Sequence, residues 1–251
     1  MGSQSAFLID GTAFCYRAFH ALGALATSDG RPTNAVYGFT VMLQALREKK
    51  KPDYLAVAFD VGKPTFRHAR FKDYKAHRKT MPEELIEQVP VIKRVLGAYR
   101  VSTFEMEGFE GEDVLATLAR ALVKSGIDVY LVTGDKDALQ LVNERIKVYN
   151  PHKGDGAVLD ASAVEARFGV APKQMVDLMA LMGDSADHIP GVSGIGEKTA
   201  AKLIQEFGSL DALYRGLGKV SSAAWRKRLE AGKEAAALSR ELATIDDSVP
   251  I

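Results

Sequence analysis

The stretch Asp128-Val-Tyr-Leu-Val-Thr-Gly-Asp-Lys-Asp137 joins a short apolar run to an acidic turn. The run is rich in β-branched and aromatic residues, which predicts a buried strand over 128–133. Asp135 and Asp137 follow directly, so two carboxylates lie at the carboxyl end of that strand. A strand that ends in acids is the unit from which we predict the fold.

The same unit occurs twice earlier in the chain. Ser5–Ile9 leads to Asp10, and Tyr54–Phe59 leads to Asp60. Apolar residues recur at helical spacing in three other segments: Val36, Phe39, Leu43 and Leu46; Leu85, Val89, Ile92 and Leu96; Val114, Leu118 and Leu122. Strands that alternate with helices predict an α/β fold with a mostly parallel central sheet flanked by helices. Because the carboxyl ends of parallel strands share one edge, we expect the acidic ends to converge there.

The last part of the chain follows a different pattern. Ile146–Tyr149 is predicted to be a fourth strand, at the edge of the sheet. From about residue 161 onward only helical patterns occur. We therefore expect an α/β core over residues 1–160 and a helical subdomain over residues 161–251.

The composition is that of an ordinary globular protein, with 251 residues, 47% hydrophobic and 26% charged. A net charge of +1 gives no argument for nucleic-acid binding by itself. The single cysteine, Cys15, lies among apolar residues, which indicates a buried thiol and a reducing compartment. Neither a membrane-spanning run nor a signal-peptide pattern occurs, so we expect a cytoplasmic protein with no membrane partner.

Acidic residues recur at the ends of the predicted elements. They are Asp10, Asp60, Glu110, Glu112, Asp113, Asp135, Asp137, Asp184 and Asp187. Acids in a first helical turn, such as Glu110 to Asp113, also stabilise a helix by about 0.3–1 kcal/mol each, so that group alone is ambiguous. Converging carboxylates repel one another unless cations neutralise them. Oxygen ligands without a Cys or His motif fit Mg²⁺ or Mn²⁺, and two such ions about 4 Å apart suit phosphodiester hydrolysis.

Basic and aromatic residues are interleaved between Arg47 and Lys79. This mixture suits a single nucleic-acid strand, because the charges meet phosphates and the rings offer stacking surfaces. A solvated charged face is the alternative interpretation. Lys75 and Arg78 are three residues apart and are placed to reach one phosphate.

The glycine-rich stretch Gly191-Val-Ser-Gly-Ile-Gly196 predicts a hairpin that runs into an amphipathic helix. Free N–H groups at the start of that helix, with Lys198 and Lys202 on it, form a phosphate-binding site. Asp184 and Asp187 precede the hairpin and would share one face if their segment is helical.

These motifs resemble the 5′ nuclease family, in particular the 5′→3′ exonuclease domain of bacterial DNA polymerase I and free-standing flap endonucleases. The matching segments cover nearly the whole chain: Phe7–Gly11 with Tyr16–His20, Ala58–Asp60 with Thr65–His68, Tyr74–Arg78, Val132–Asp137 and Gly183–Lys202. The resemblance implies a PIN-like or resolvase-like core, a helical arch at about residues 63–85 and a helix-hairpin-helix at about residues 184–207. It also implies a structure-selective 5′ nuclease, with exonuclease and flap endonuclease activity, for DNA replication and repair.

The resemblance further assigns roles to single residues. The nine acids would bind Mg²⁺ or Mn²⁺ as two ions, and Arg17, Lys75 and Arg78 would act at the scissile phosphate. The expected DNA contacts are Arg67, Arg70, Lys72, Tyr74, Gly191, Ser193, Gly194, Gly196, Lys198, Thr199 and Lys202. A K⁺ ion at the hairpin is a further expectation.

The implied partner is DNA with a 5′ end or 5′ flap, including RNA-primed DNA. The expected state is a monomer that is fused to a DNA polymerase or works with one. The expected location is the cytoplasm, in association with the nucleoid.

One segment departs from the family pattern. The family has Glu-Ala-Asp-Asp where this chain has Glu110-Gly-Glu-Asp113. Glu112 is one methylene longer than the expected Asp, so we expect metal binding with an altered geometry. A shift near 1 Å in a reacting group can lower a rate by about 100-fold.

Two other functions are open at this point. Asp10-Gly-Thr12 after a strand suggests a phosphatase of the haloacid-dehalogenase type, but that chemistry requires an acid two residues earlier, where this chain has Leu8. The second alternative is a DNA-binding module with no activity, in which the acids are helix caps and solvated charges. A nuclease assay separates the three.

Overall fold

The computed structural model describes residues 3–151 and 156–251. The strands are β1 (Ser5–Asp10), β2 (Tyr54–Ala58), β3 (Ser102–Phe104), β4 (Asp128–Val132), β5 (Ile146–Asn150) and β6 (Ala157–Leu159). The helices are α1 (Gly11–Ala21), α2 (Asn34–Lys50), α3 (Phe66–Arg70), α4 (Glu83–Ala98), α5 (Gly111–Lys124), α6 (Ala161–Phe168), α7 (Met175–Met182), α8 (Glu197–Phe207), α9 (Leu210–Arg215), α10 (Ala223–Ala231) and α11 (Lys233–Ala243). Across the described residues, each helix is too short or too polar to cross a membrane.

The strands form one sheet in the order β3-β2-β1-β4-β5-β6. All neighbours pair in parallel except β5 and β6, which are antiparallel. The predicted mostly parallel α/β fold is thus confirmed. The prediction that residues 146–149 form an edge strand is wrong, because β5 lies between β4 and β6. The edges are β3 and β6, whose three residues each are too short to give a recognisable pattern.

The sheet is covered on both faces, as its apolar strands require. Phe7 and Ile9 of β1 pack with residues of α1, α2 and α4. The alternate residues Ala6 and Leu8 belong to a core that continues through α5 and α7 to α10. One apolar core therefore joins the sheet to the helical segment, and the boundary at residues 160 and 161 stays a prediction.

The segment expected as a helical arch is helical only over α3. Residues 72–77 form turns, and α4 begins at Glu83. Phe71 ends α3 in an extended conformation, and Lys75 has a left-handed backbone with φ 54°. Tyr74 is buried with Met179 of α7 and Leu242 of α11, so the turn segment packs against the protein.

The chain turns between Asp184 and Asp187, so the condition under which the two acids would share one helical face is not met. Asp184 and Ile189 exchange two backbone hydrogen bonds, of 2.9 and 2.8 Å, which closes the chain into a narrow loop. Glycines permit this close approach. A Cβ atom on Gly191, which has φ 63°, would lie 2.3 Å from the backbone nitrogen of Gly183.

Candidate metal and nucleic-acid site

An open cavity of about 240 Å³ lies beyond the carboxyl ends of β1, β2 and β4, where the sequence predicts a site. Its lining consists of Asp10, Thr12, Ala13, Tyr16, Asp60, Lys75, Arg78, Glu110, Glu112 and Asp135. Five of the nine predicted metal ligands thus share one cavity with two predicted catalytic cations. Tyr16 and Thr12 also line it and were not predicted as site residues.

Backbone contacts fix the first two acids of the cavity. Asp10 is the N-cap of α1 and accepts from the N–H of Ala13 at 2.9 Å. Asp60 accepts from the N–H of Gly111 at 2.7 Å, and its own N–H donates to the hydroxyl of Thr12 at 2.9 Å. Each carboxylate keeps an oxygen that these backbone bonds do not use.

The departure from the family pattern lies at the start of α5. A Cβ atom on Gly111 would make ordinary contacts, the nearest at 3.5 Å to the Asp60 carboxylate, so the alanine of the family would also fit. Glu112 lines the cavity in spite of its extra methylene, and its carboxylate lies 3.8 Å from the Arg67 guanidinium. The longer side chain therefore still presents its charge to the site.

Asp113 does not join the cavity, which corrects its assignment as a metal ligand. Its oxygens accept from both terminal nitrogens of Arg67 at 2.8 Å, from the N–H of Glu110 at 3.0 Å and from the N–H of Asp246 at 2.9 Å. Both Asp113 and Arg67 have no exposed surface. Arg67 is therefore a buried structural cation, and its assignment as a DNA contact is also wrong.

The remaining three acids form a second, buried group beside the cavity. One oxygen each of Asp137, Asp184 and Asp187 lies within 4.8 Å of the others. The N–H of Asp137 donates to Asp135 at 3.0 Å, which connects this group to the cavity. Asp184 pairs with Lys136 at 3.1 Å, an ion pair that the sequence did not predict.

Two cations of the turn segment, Lys75 and Arg78, form ion pairs with acids of both groups. Lys75 Nζ donates to Glu110 at 2.8 Å and lies 3.5 Å from Asp187. The guanidinium of Arg78 donates to Asp187. Tyr74 donates its hydroxyl to Glu110 at 3.1 Å and is buried, so it contacts the acids and is not a surface DNA contact.

The predicted cations elsewhere lie outside the cavity. Arg17 on α1, Arg70 and Lys72 are exposed. Arg70 pairs with Glu241 at 2.8 Å. These three residues face solvent and stay predictions as nucleic-acid contacts.

Burial and mutual repulsion perturb the acids. Burial, followed by the charge of Asp60, raises the pKa of Asp10 to about 7. Burial, followed by the charge of Asp137, raises the pKa of Glu112 well above its usual range. Burial, with the charges of Asp135 and Asp187, raises the pKa of Asp137. The site concentrates more negative charge than its own cations neutralise.

This arrangement fits hard divalent cations. Asp137 Oδ1 is buried and has no hydrogen-bond partner among the described residues, an unsatisfied acceptor that a cation would complete. All candidate ligands are carboxylates, as Mg²⁺ and Mn²⁺ prefer. The free thiol of Cys15 is buried, as predicted, and burial raises its pKa to about 12.

The glycine hairpin leads into α8, as predicted. Gly196 is the N-cap and offers no side-chain cap, so the first N–H groups of α8 lack a capping side chain. Ser193, Gly194, Gly196, Lys198 and Lys202 are exposed and Thr199 is partly buried, which leaves this surface open to a phosphate. Gly191 is buried and donates its N–H to Ser239 at 2.9 Å, so its role is structural.

Two carbonyls of the hairpin have donors. Gly194 accepts from the Arg228 guanidinium at 2.7 Å, and Val192 accepts from the N–H of Ile195 at 2.9 Å. A K⁺ ion at the Gly194 carbonyl would have to share that oxygen with the Arg228 guanidinium or displace it. The potassium site stays a prediction.

The fold and the acid-lined edge of its sheet define a nuclease-type domain with a resolvase-like core. Residues 5–169 match the family model of the 5′-3′ exonuclease N-terminal resolvase-like domain, and residues 170–251 match that of the 5′-3′ exonuclease C-terminal SAM fold. The chain belongs to the 5′-3′ exonuclease family. The predicted resemblance is confirmed, and the phosphatase alternative is rejected.

Curated relatives of the chain are much longer proteins. DNA polymerase I of Bacillus subtilis is 44% identical over 246 residues, which are 97% of this chain and 28% of that protein. The thermostable DNA polymerase I of Thermus thermophilus is 43% identical over 97% of this chain and 29% of its own length. The chain thus spans a little over a quarter of these relatives.

Solved structures share the fold. The T5 5′-exonuclease with bound zinc aligns with a TM-score of 0.80 and 24% identity, over 97% of this chain and 90% of that one. The catalytic core of Rad2 in complex with a DNA substrate aligns with a TM-score of 0.65 and 17% identity, over 98% and 81%. Their arrangement of sheet and helices is that of this chain.

Proposed function

We propose that this domain is a structure-selective 5′ nuclease that hydrolyses DNA phosphodiester bonds at 5′ ends and 5′ flaps with Mg²⁺ or Mn²⁺. The observation that carries the proposal is the single cavity in which five carboxylates meet Lys75 and Arg78. Family membership supports the reaction class. The T5 5′-exonuclease binds divalent zinc ions and the Rad2 catalytic core binds a DNA substrate in their solved structures, which supports the two kinds of ligand.

The acids divide into two groups that suit two cations. Asp10, Asp60, Glu110, Glu112 and Asp135 would hold one at the cavity, and Asp137, Asp184 and Asp187 would hold the other beside it. Bound divalent cations would lower the pKa of an attacking water and neutralise the departing 3′ oxygen.

The chain's own residues would bind and orient the DNA. Exposed N–H groups at the start of α8, with Lys198 and Lys202, would hold backbone phosphates of the duplex. Lys75 and Arg78 would leave their carboxylate partners and donate to the oxygens of the scissile phosphate. A DNA polymerase joined to the domain, as in the relatives, would supply the 5′ flaps by strand displacement.

The test is cleavage of a labelled 5′-flap duplex with Mg²⁺, with Mn²⁺ and with EDTA. We expect cleavage only with the metals. Asp135→Ala removes an exposed carboxylate of the cavity and should reduce cleavage by at least about 100-fold while DNA binding persists. Asp247→Ala, which removes an exposed acid that pairs with Arg120, is the matched control and should cleave like the unmodified protein.

Full activity of Asp135→Ala would reject the assignment of the cavity. DNA binding without cleavage by the unmodified protein under either metal would favour the inactive DNA-binding module instead. An RNA-primed flap, assayed in parallel, determines whether the 5′ segment can be RNA.

A further inference from the structure

A second cavity of about 570 Å³ adjoins the acidic one and has a different chemistry. The two cavities share Thr12 and Asp60, so they meet at the carboxyl end of β2. The second cavity extends away from the acids, between the residues after β2 and the first half of α4. Its volume is in the range of cavities that bind small organic groups.

The walls of this second cavity are mainly apolar. Phe59, Val61, Met81, Ile86, Val89 and Pro90 contribute to them. Ile86 is 53% exposed, a large apolar side chain left in contact with water. Lys93 lies 5.1 Å above the ring of Phe59, and its charge is paired with Glu105. A flat aromatic ligand suits such a lining better than a phosphate, because the lining is mainly apolar and its one lysine, Lys93, faces Glu105 in the same cavity.

The cavity lies where α4 has a gap in its backbone hydrogen bonding. Pro90 lies inside α4 and has no N–H, so the helical bond from residue 90 to the carbonyl of Ile86 is missing. Both residues line the cavity with apolar side chains, which match the ring face of a nucleobase.

The position of the second cavity in the sheet sets the direction of a bound strand. The acidic cavity spans the ends of β2, β1 and β4, and Asp184 and Asp187 lie beside Asp137 on its β4 side, whereas the second cavity lies on the side of β2 and β3. A strand whose duplex is held by the hairpin therefore crosses the acids before it reaches the second cavity.

We propose that this second cavity binds the base of the first nucleotide on the 5′ side of the scissile phosphate. The inference rests on the proposed nuclease function. Docking of that base would place the adjoining phosphate over the acidic cavity, next to Asp60, and would make cleavage depend on a base at that position.

The test compares two 5′-flap duplexes with Mg²⁺, one with a normal nucleotide at that position and one with an abasic residue. We expect kcat/KM to be about tenfold lower for the abasic substrate, since a stacked base contributes on that scale. Ile86→Ser should shrink this ratio to about threefold or less. Val91→Ser alters a 40% exposed valine of the same helix that does not line the cavity, and should keep the full ratio.

A binding measurement makes the test independent of cleavage. A flap duplex with 2-aminopurine at the same position, titrated with protein in EDTA, should lose fluorescence when the base stacks in the cavity, and Ile86→Ser should lose this signal where Val91→Ser does not. Equal rates on both substrates, or a signal that Ile86→Ser leaves unchanged, would overturn the proposal. A chain that cleaves neither substrate would refute the nuclease function, and the fluorescence would still decide whether the cavity binds a base.

Discussion

Arg67 and Asp113 form a fully buried, bidentate ion pair with both N–O distances at 2.8 Å. The same guanidinium donates to the backbone carbonyls of Leu242 and Thr244, each at 2.9 Å. The Arg67 side chain thus connects α3 to the start of α5 and to the end of α11. The acids around it, Glu110 and Glu112, point from that junction into the site.

The first prediction concerns this ion pair. Arg67→Ala leaves the Asp113 carboxylate buried without its cation, which should lower the free energy of unfolding by about 3–5 kcal/mol. Urea unfolding followed by circular dichroism measures the change. Arg70→Ala removes a neighbouring but exposed pair with Glu241 and should cost less than about 1 kcal/mol. Equal effects of the two substitutions would contradict the structural role of Arg67.

The second prediction concerns the narrow loop before the hairpin. Gly191→Ala forces a Cβ atom against the backbone of Gly183 at a left-handed residue, and should lower the free energy of unfolding by at least about 2 kcal/mol. Gly97→Ala is the control, because Gly97 lies in α4 with open space around it. That substitution should raise the stability by about 0.5–1 kcal/mol. An unchanged free energy of unfolding for Gly191→Ala would contradict the prediction and would show that the loop relaxes around the added Cβ atom.

These two cases show what the sequence could and could not predict. The strands β1, β2 and β4 were predictable because apolar runs end directly in acids, and the common edge of a parallel sheet brings Asp10, Asp60 and Asp135 together. Arg67 was misassigned because its partners lie 46 and 175 residues away, and sequence spacing contains no signal for such a contact. In the sequence, a basic residue that is exposed to a ligand cannot be distinguished from one that is buried in an ion pair.

The second acidic group illustrates a different limit. Asp184 and Asp187 would share one face if their segment were helical, but a hydrogen-bonded turn brings them to Asp137 instead. The sequence predicted that these acids belong to the site but not the backbone conformation that brings them together. Gly183 and Gly191 permit a chain reversal that helical spacing does not describe.

The third prediction uses the pKa of Asp10. Its folded value of about 7 exceeds the ordinary value of 3.8, so the native state holds this proton more tightly than the unfolded state does. The resulting stabilisation is complete below about pH 4 and is lost as the pH rises to about 7. Metal-free protein in EDTA should therefore lose stability across this interval, by at most about 1.4 kcal/mol per pH unit from this group.

Urea unfolding of Asp10→Asn over the same pH range isolates the contribution of that group. The variant should show a flatter pH dependence than the unmodified protein, whereas Asp247→Asn, at an exposed site, should not. Added Mn²⁺ should flatten the dependence of the unmodified protein too, since the cation replaces the proton. Parallel curves for Asp10→Asn and the unmodified protein would show that Asp10 does not titrate in this interval.

The last prediction concerns Lys75, which the structure places over the acids. Its side chain is only 17% exposed, and its ammonium group bridges Glu110 and Asp187. Lys75 therefore neutralises in the metal-free protein the same carboxylates that we assign to the cations, and it must move before it can donate to a phosphate. Lys75→Ala should bind Mn²⁺ about tenfold more tightly, because no ammonium group competes, yet should cleave DNA about 100-fold more slowly. Titration calorimetry and the flap assay measure the two effects, with Lys124→Ala, an exposed lysine at the C-terminal end of α5, as the control. An unchanged Mn²⁺ affinity would separate Lys75 from the metal ligands, and an unchanged rate would remove it from the reaction.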